Sequence, residues 1–175
     1  MKDLPSLPDN KLSQAIKSSD SAAFKTLYFR HYKSLYNFVW YRTYSTELAK
    51  DILQETFTRL WQNRKKLNVN KSIKAYLYRI ANNLIIDHNR KNTSKRSYLS
   101  KLERENYSDN EQFIDTELSL KTALDNLPEK LRTVFTLSRY QGLKYSEIAE
   151  VCNISIKTVE KWMSQALQLL REELS

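Results

Sequence analysis

A chain of 175 residues with one glycine, three prolines and one cysteine has too few turn formers for a many-stranded sheet fold and cannot form an internal disulfide. No apolar run reaches the ~20 residues of a membrane span, so membrane insertion is not expected. MKDLPSLPDN has no apolar signal-peptide stretch, and a reducing, cytoplasmic compartment is the expectation. The net charge of +9 is uneven: residues 1–96 hold 19 Lys/Arg against 7 Asp/Glu, and residues 114–175 hold 8 against 9. The basic part also carries 13 of the 20 aromatic residues, a composition suited to a polyanion. A basic surface serving solubility alone would explain the charge but not the aromatics.

The composition and periodicity predict an all-α protein: two small helical domains joined by a polar linker, the C-terminal one containing a helix-turn-helix. The first domain is expected over 9–95. Phe24, Leu27, Tyr28, Leu35, Phe38 and Val39 recur at helical steps, predicting a helix over 20–44 capped by Asp20 or Ser21. A second helix over 47–63 places Ala49, Ile52, Leu53, Phe57, Leu60 and Trp61 inward. Asp51, Gln54, Glu55 and Arg59 then face outward. A lysine-bearing turn follows, over 65–71. Ser72 caps a third helix over 73–90 with a stripe of Ile73, Tyr76, Leu77, Ile80, Ala81 and Leu84. Its other side carries Arg79, Asn83, Asp87 and Arg90 in one row.

From 92 to 111 the pattern dissolves into polar, aperiodic sequence with one short helical possibility near Leu99–Leu102; residues 96–112 read as the linker. The second domain is expected over 113–175. A helix over 113–126 carries Leu118, Leu120, Ala123 and Leu124. Pro128 opens a helix over 128–141 from its first turn, and Gly142 follows as a left-handed terminator.

The segment YSEIAEVCNISIKTVEKWMSQALQLL has the layout of a helix-turn-helix. Ile148 points inward and small Ala149 sits at the crossing. Asn153 occupies the bend that needs positive φ, and Ser155 caps the second helix. Val159, Trp162 or Met163, Leu167 and Leu170 face the first helix. Lys157, Thr158, Glu160, Lys161, Ser164 and Gln165 then face outward, where a recognition helix meets base edges and phosphates. Cys152 reads as a buried small apolar side chain. His31 and His88 have no metal-ligand spacing and there is no glycine-rich phosphate loop, so no metal, no cofactor and no enzyme activity are expected. The helix-turn-helix alone leaves two readings: an initiation factor, or a stand-alone repressor or activator that dimerises on a palindromic operator.

Four stretches in order resemble the extracytoplasmic-function (group IV) sigma factors of the sigma-70 family. SDSAAFKTLYFRHYKSLYNFV is similar to the first helix of that family's promoter-melting domain, and AKDILQETFTRLWQN to its polymerase-binding helix. IKAYLYRIANNLIIDHNRK resembles the helix that reads the −10 element. LDNLPEKLRTVFTLSRYQGLKYSEIAEVCNISIKTVEKWMSQAL resembles the −35-reading domain. The resemblance implies a factor that binds core RNA polymerase through the β′ clamp helices and the β flap and reads −35 DNA as duplex. It also implies that the factor reads and helps melt −10 DNA, held as a single strand.

By position, the resemblance implies that Asp51, Gln54 and Glu55 meet the polymerase. Lys65, Lys66, Lys71, Lys74, Arg79, Asn83, Asp87, Arg90 and Lys91 are implied at the −10 strand, with a flipped base held by the lysine turn. Ser155, Lys157, Thr158, Glu160, Lys161, Ser164 and Gln165 are implied at the −35 duplex. It also implies an anti-sigma factor as a partner. The chain departs from the family at Lys144, where a small polar cap is common, at Asn153, where glycine is common, and in lacking arginine among its −35 positions.

Overall fold

The computed structural model describes residues 4–91 and 115–175, and every regular element within them is helical. The chain divides into two compact units, Met1–Arg104 and Glu105–Ser175. No helix among the described residues is long and apolar enough to cross a membrane. The sequence expectations for 92–112 and Phe113 lie outside the described residues, as does the side chain of Leu118.

The first unit runs through a 3-10 turn (Leu4–Ser6), α1 (Asp9–Lys17), α2 (Ser21–Thr43), α3 (Thr46–Gln62), a second 3-10 turn (Arg64–Lys66) and α4 (Ile73–Lys91). Its helix starts follow capping chemistry. The Asp20 carboxylate accepts from the Ala22 and Ala23 amides at 2.9 and 3.0 Å, Ser45 Oγ from Leu48, and Ser72 Oγ from Ala75 at 3.1 Å. Helix α2 ends on Tyr44 in the left-handed region at φ 50.

Helix α1 is not among the predicted elements. It is only nine residues long, too short for periodicity to stand out, yet Leu12 and Ile16 on one face are fully buried. It packs against α2 and α4. The Asp9 carboxylate fastens it: Arg30 Nη1 donates to one oxygen at 2.7 Å, and buried His31 Nε2 lies 2.7 Å from the other. Burial pushes the Asp9 carboxyl pKa up, but the hydrogen bonds and charges of His31 and Arg30 outweigh it and hold the carboxyl below its ordinary 3.8.

The stripe expected on α4 is too narrow. Ile73, Leu77, Ile80 and Ala81 are buried as expected, but Tyr76 and Leu84 are only half-buried. Ala75, Tyr78, Asn82 and Ile85 are buried as well, because α4 packs against α1, α2 and α3 together. Tyr78 is fully enclosed against Phe38, ring edge to ring face at 5.1 Å, and burial pushes its phenol up to about 12 despite the opposing Ser34 hydrogen bond. Arg42 Nη1 donates to the buried Asn82 Oδ1. On α3, Trp61 is half-buried rather than enclosed; its ring meets Phe24 at 5.1 Å.

The second unit comprises α5 (Asp115–Asn126), α6 (Glu129–Arg139), α7 (Tyr145–Cys152) and α8 (Ile156–Leu174). Helices α5, α6 and α7 all pack on α8, around Val134, Leu137, Ile148, Val159, Met163 and Ala166. Ala123 is buried, while Leu120 and Leu124 are half-buried. Pro128 is the N-cap of α6, one position earlier than the expected first-turn place. Gly142 behaves as expected, at φ 66. Its amide donates to Ser138 O at 3.1 Å and the Leu143 amide reaches back to Leu137 O at 3.0 Å, so the left-handed glycine turns the chain back over the last carbonyls of the helix.

Candidate functional site

The helix-turn-helix forms as its residues dictate. At the start of α7, Lys144 has no side-chain acceptor, and Glu147 compensates by accepting from the Lys144 amide at 2.8 Å. Asn153 takes the left-handed bend at φ 54, and Ser155 Oγ accepts from the Thr158 amide at 3.1 Å. Met163, not Trp162, is the enclosed member of that pair. Trp162 is half-buried, with Lys130 Nζ 5.4 Å from its ring centroid. Cys152 is half-buried, contrary to the expected burial, because it stands in the last turn of α7 where the chain leaves the core.

The outward face of α8 presents Lys157, Glu160, Lys161, Ser164 and Gln165, all exposed. Thr158 departs from the expected outward set. It is half-buried, and its hydroxyl shares a 2.8 Å hydrogen bond with Ser155 Oγ, so both belong to the cap as well as to the face. The cap and the free amides at the start of α8 point where a phosphate would meet a helix N-terminus.

The first unit has two polar faces. On α3, Asp51, Gln54 and Glu55 are exposed, and Arg59 Nε donates to Glu55 Oε1 at 2.6 Å one turn on. Gln54 and Lys50 border a groove floored by Phe24, Tyr28, Phe57 and Trp61. The residue pattern of α3 alone showed the polar edge. It did not show the aromatic floor, half of which comes from α2.

On α4, Arg79, Asn83, Asp87 and Arg90 are all exposed along one side, with Lys91 exposed at its end. The turn before α4 places Lys65, Lys66 and Lys71 outward and leaves Lys74, in the first turn of the helix, half-buried. These cations and the α4 row lie on consecutive elements, the lysine turn leading directly into the helix that carries the row.

Two family models match this chain: sigma-70 region 2 over residues 27–95 and sigma-70 region 4 over residues 117–170. The ferric citrate uptake sigma factor FecI of Escherichia coli is 29% identical over 163 residues, covering 90% of this chain and 94% of that protein. The ECF RNA polymerase sigma factor SigW of Bacillus subtilis is 28% identical over 178 residues, covering 94% and 95%. Among solved structures, CnrH in complex with the cytosolic domain of CnrY is similar with a TM-score of 0.71 at 24% identity, covering 95% of this chain and 96% of that one. The sigma factor RpoE of Bartonella quintana, solved with the anti-sigma factor NepR, has a TM-score of 0.66 at 23% identity, covering 86% and 96%. These two likenesses speak to the fold.

Proposed function

The chain belongs to the extracytoplasmic-function branch of the sigma-70 family, and on that premise we propose how its surfaces divide the work of starting transcription. A member of this family binds core RNA polymerase and directs it to promoters, and the polymerase supplies the nucleotidyl-transfer chemistry. In our reading this chain catalyses no reaction itself, works in the cytoplasm, and is held in check by an anti-sigma factor that covers its polymerase- and DNA-facing surfaces.

We assign Asp51, Gln54 and Glu55 to the β′ clamp helices. An acidic and amide edge on an otherwise basic unit suits a basic partner surface. The exposed row Arg79, Asn83, Asp87 and Arg90, with Lys91 and the lysine turn, is assigned to the unpaired −10 strand. There lysines meet phosphates and a base leaves the stack. The α8 face from Lys157 to Gln165, with the Ser155 cap, is assigned to the −35 duplex, where Lys161 and Gln165 reach base edges.

The observation that carries this assignment is the coexistence, in one chain, of three exposed polar faces on α3, α4 and α8 at the positions expected of such a factor. A stand-alone repressor would use only the last of them. The test is gel filtration of the chain with core polymerase at low salt, followed by sequencing of the transcripts the mixture initiates on genomic DNA. Co-elution and initiation from one promoter class are expected. A chain that does not bind core, or that forms a stable dimer on a palindrome without polymerase, overturns the reading.

A further inference from the structure

We propose that Lys17 and Arg64 are positioning residues that fix the shape of the lysine turn between α3 and α4, so that its cations meet the unpaired strand in one geometry. The inference rests on the reading above, that this turn contacts −10 DNA.

The turn has its own backbone order. Lys66 donates to Asn63 O at 2.9 Å, Leu67 to Arg64 O at 3.2 Å and Lys71 to Asn68 O at 3.0 Å. These bonds shape the turn locally but do not fasten it to the rest of the unit. Leu67 is its one enclosed side chain, 7% exposed.

Two long-range hydrogen bonds supply the fastening. Lys17 Nζ, at the end of α1, donates to Leu67 O at 2.8 Å across 50 positions of sequence. Arg64 Nε donates to Ser19 Oγ at 2.9 Å across 45 positions. The Arg64 guanidinium also lies over the Trp61 ring, 4.4 Å from its centroid, and donates to Trp61 O at 2.8 Å. These are charge-assisted bonds to neutral acceptors, stronger than neutral ones and directional.

The acceptor on the α1 side is itself set by backbone geometry. Ser19 sits at φ 69, in the left-handed region that a serine rarely adopts. Its amide donates to Ile16 O at 2.8 Å and the Asp20 amide to Ala15 O at 3.0 Å, closing a tight turn between α1 and α2. Helix α1 is fastened at its other end by Asp9 to Arg30 and His31. It therefore acts as a strut between the long helix α2 and the turn.

The division of labour among the cations follows. Lys17 and Arg64 are turned to protein acceptors, and the neighbouring Lys65 and Lys66 are exposed. A pocket for an extruded base needs placement within about 0.5 Å, and a turn of flexible lysines does not reach that unaided.

The test measures discrimination rather than bulk affinity. The holoenzyme, core polymerase plus this chain, is titrated with a single-stranded non-template oligonucleotide carrying the −10 element of a promoter found by the transcript mapping. Versions changed one base at a time are titrated in parallel. Lys17→Met and the charge-neutral Ser19→Ala are each expected to narrow the best-to-worst affinity ratio by roughly threefold to tenfold. Lys17→Arg, which can still donate to Leu67 O, retains the ratio, and core-polymerase affinity is unchanged in all three.

A double variant, Lys65→Ala with Lys66→Ala, separates the two claims. If it weakens oligonucleotide binding while Lys17→Met and Ser19→Ala leave the ratio intact, the positioning role is wrong and the turn's contact with the strand stands. If the double variant has no effect on binding, the turn does not touch the strand and the proposal falls with that reading. Melting followed by circular dichroism keeps the comparison to folded variants; should Lys17→Met not fold, Ser19→Ala with Lys17→Arg decides the matter.

Discussion

The two units of this chain offer a nucleic acid different chemistry. The first is basic, rich in aromatic side chains, and built around a helix, α4, that is buried against three neighbours while one row of its residues stays in water. The second is close to neutral and presents one helix face beside a helix N-terminus. A basic surface grips phosphates without regard to sequence and weakens steeply with salt, whereas a near-neutral recognition helix depends on a few directed contacts. A near-neutral DNA reader is a weak binder alone, and on the proposed reading the basic first unit and the polymerase supply the rest of the hold.

The largest effect should come from a cavity in either core. Ile148 is fully buried between α7 and α8, and Ile148→Ala is expected to cost about 2–5 kcal/mol of the second unit's stability, as Leu77→Ala is in the first. Thermal melts with footprinting would separate them. Ile148→Ala removes −35 protection and leaves binding of the single −10 strand by holoenzyme in place, whereas Leu77→Ala, in the unit assigned to the polymerase, is expected to lower core binding and with it both DNA contacts. Loss of the −10 contact as well from Ile148→Ala would mean that the two compact units do not act separately.

Asp9 distinguishes the first unit further. Its carboxyl is held below 3.8, so its stabilising contribution is present above pH 3.8 and is lost as pH falls through the lower folded value. Asp9→Asn is therefore expected to destabilise the chain by roughly 1 kcal/mol at neutral pH, a figure discounted for a side chain 30% exposed. Urea unfolding of variant and parent should converge in acid. A difference that persists at pH values well below the carboxylate range would show that the Arg30 and His31 contacts are not its source.

Ser155→Ala removes the cap of α8 and should cost about 1 kcal/mol in stability. It should also weaken −35 duplex binding without altering the −10 oligonucleotide titration. The smallest effect is expected at Asn153. It already tolerates φ 54, so Asn153→Gly exchanges mild strain for greater chain entropy, a change of less than about 0.5 kcal/mol by denaturant midpoint.

Much of this could be read from residues. The caps Asp20, Ser72 and Ser155, the bend at Asn153 and the terminator Gly142 all carry local chemistry that sets backbone conformation without help from the rest of the fold. The exposed rows on α3 and α4 were legible because helical spacing alone puts them together. Features that depend on several elements were not. Helix α1 is two turns long and signals itself only through Leu12 and Ile16. The burial of Tyr78, Asn82 and Ile85 needs the packing of α1, α2 and α3 around α4. His31 stands alone in sequence but faces Asp9, 22 positions away, and the aromatic floor beside Gln54 joins residues of α2 and α3. Pairings across such distances leave no periodic trace.

The claim at the centre of this account is that one chain reads promoter DNA at two separate points. Transcription of a randomised promoter library by core polymerase plus this chain tests it most directly, with both elements read by sequencing the transcribed templates. Two separated blocks of preference are expected. Lys161→Ala with Gln165→Ala should flatten only the upstream block, and Asn83→Ala with Asp87→Ala only the downstream one. A single palindromic block, or both blocks changing together under either pair of substitutions, would contradict it.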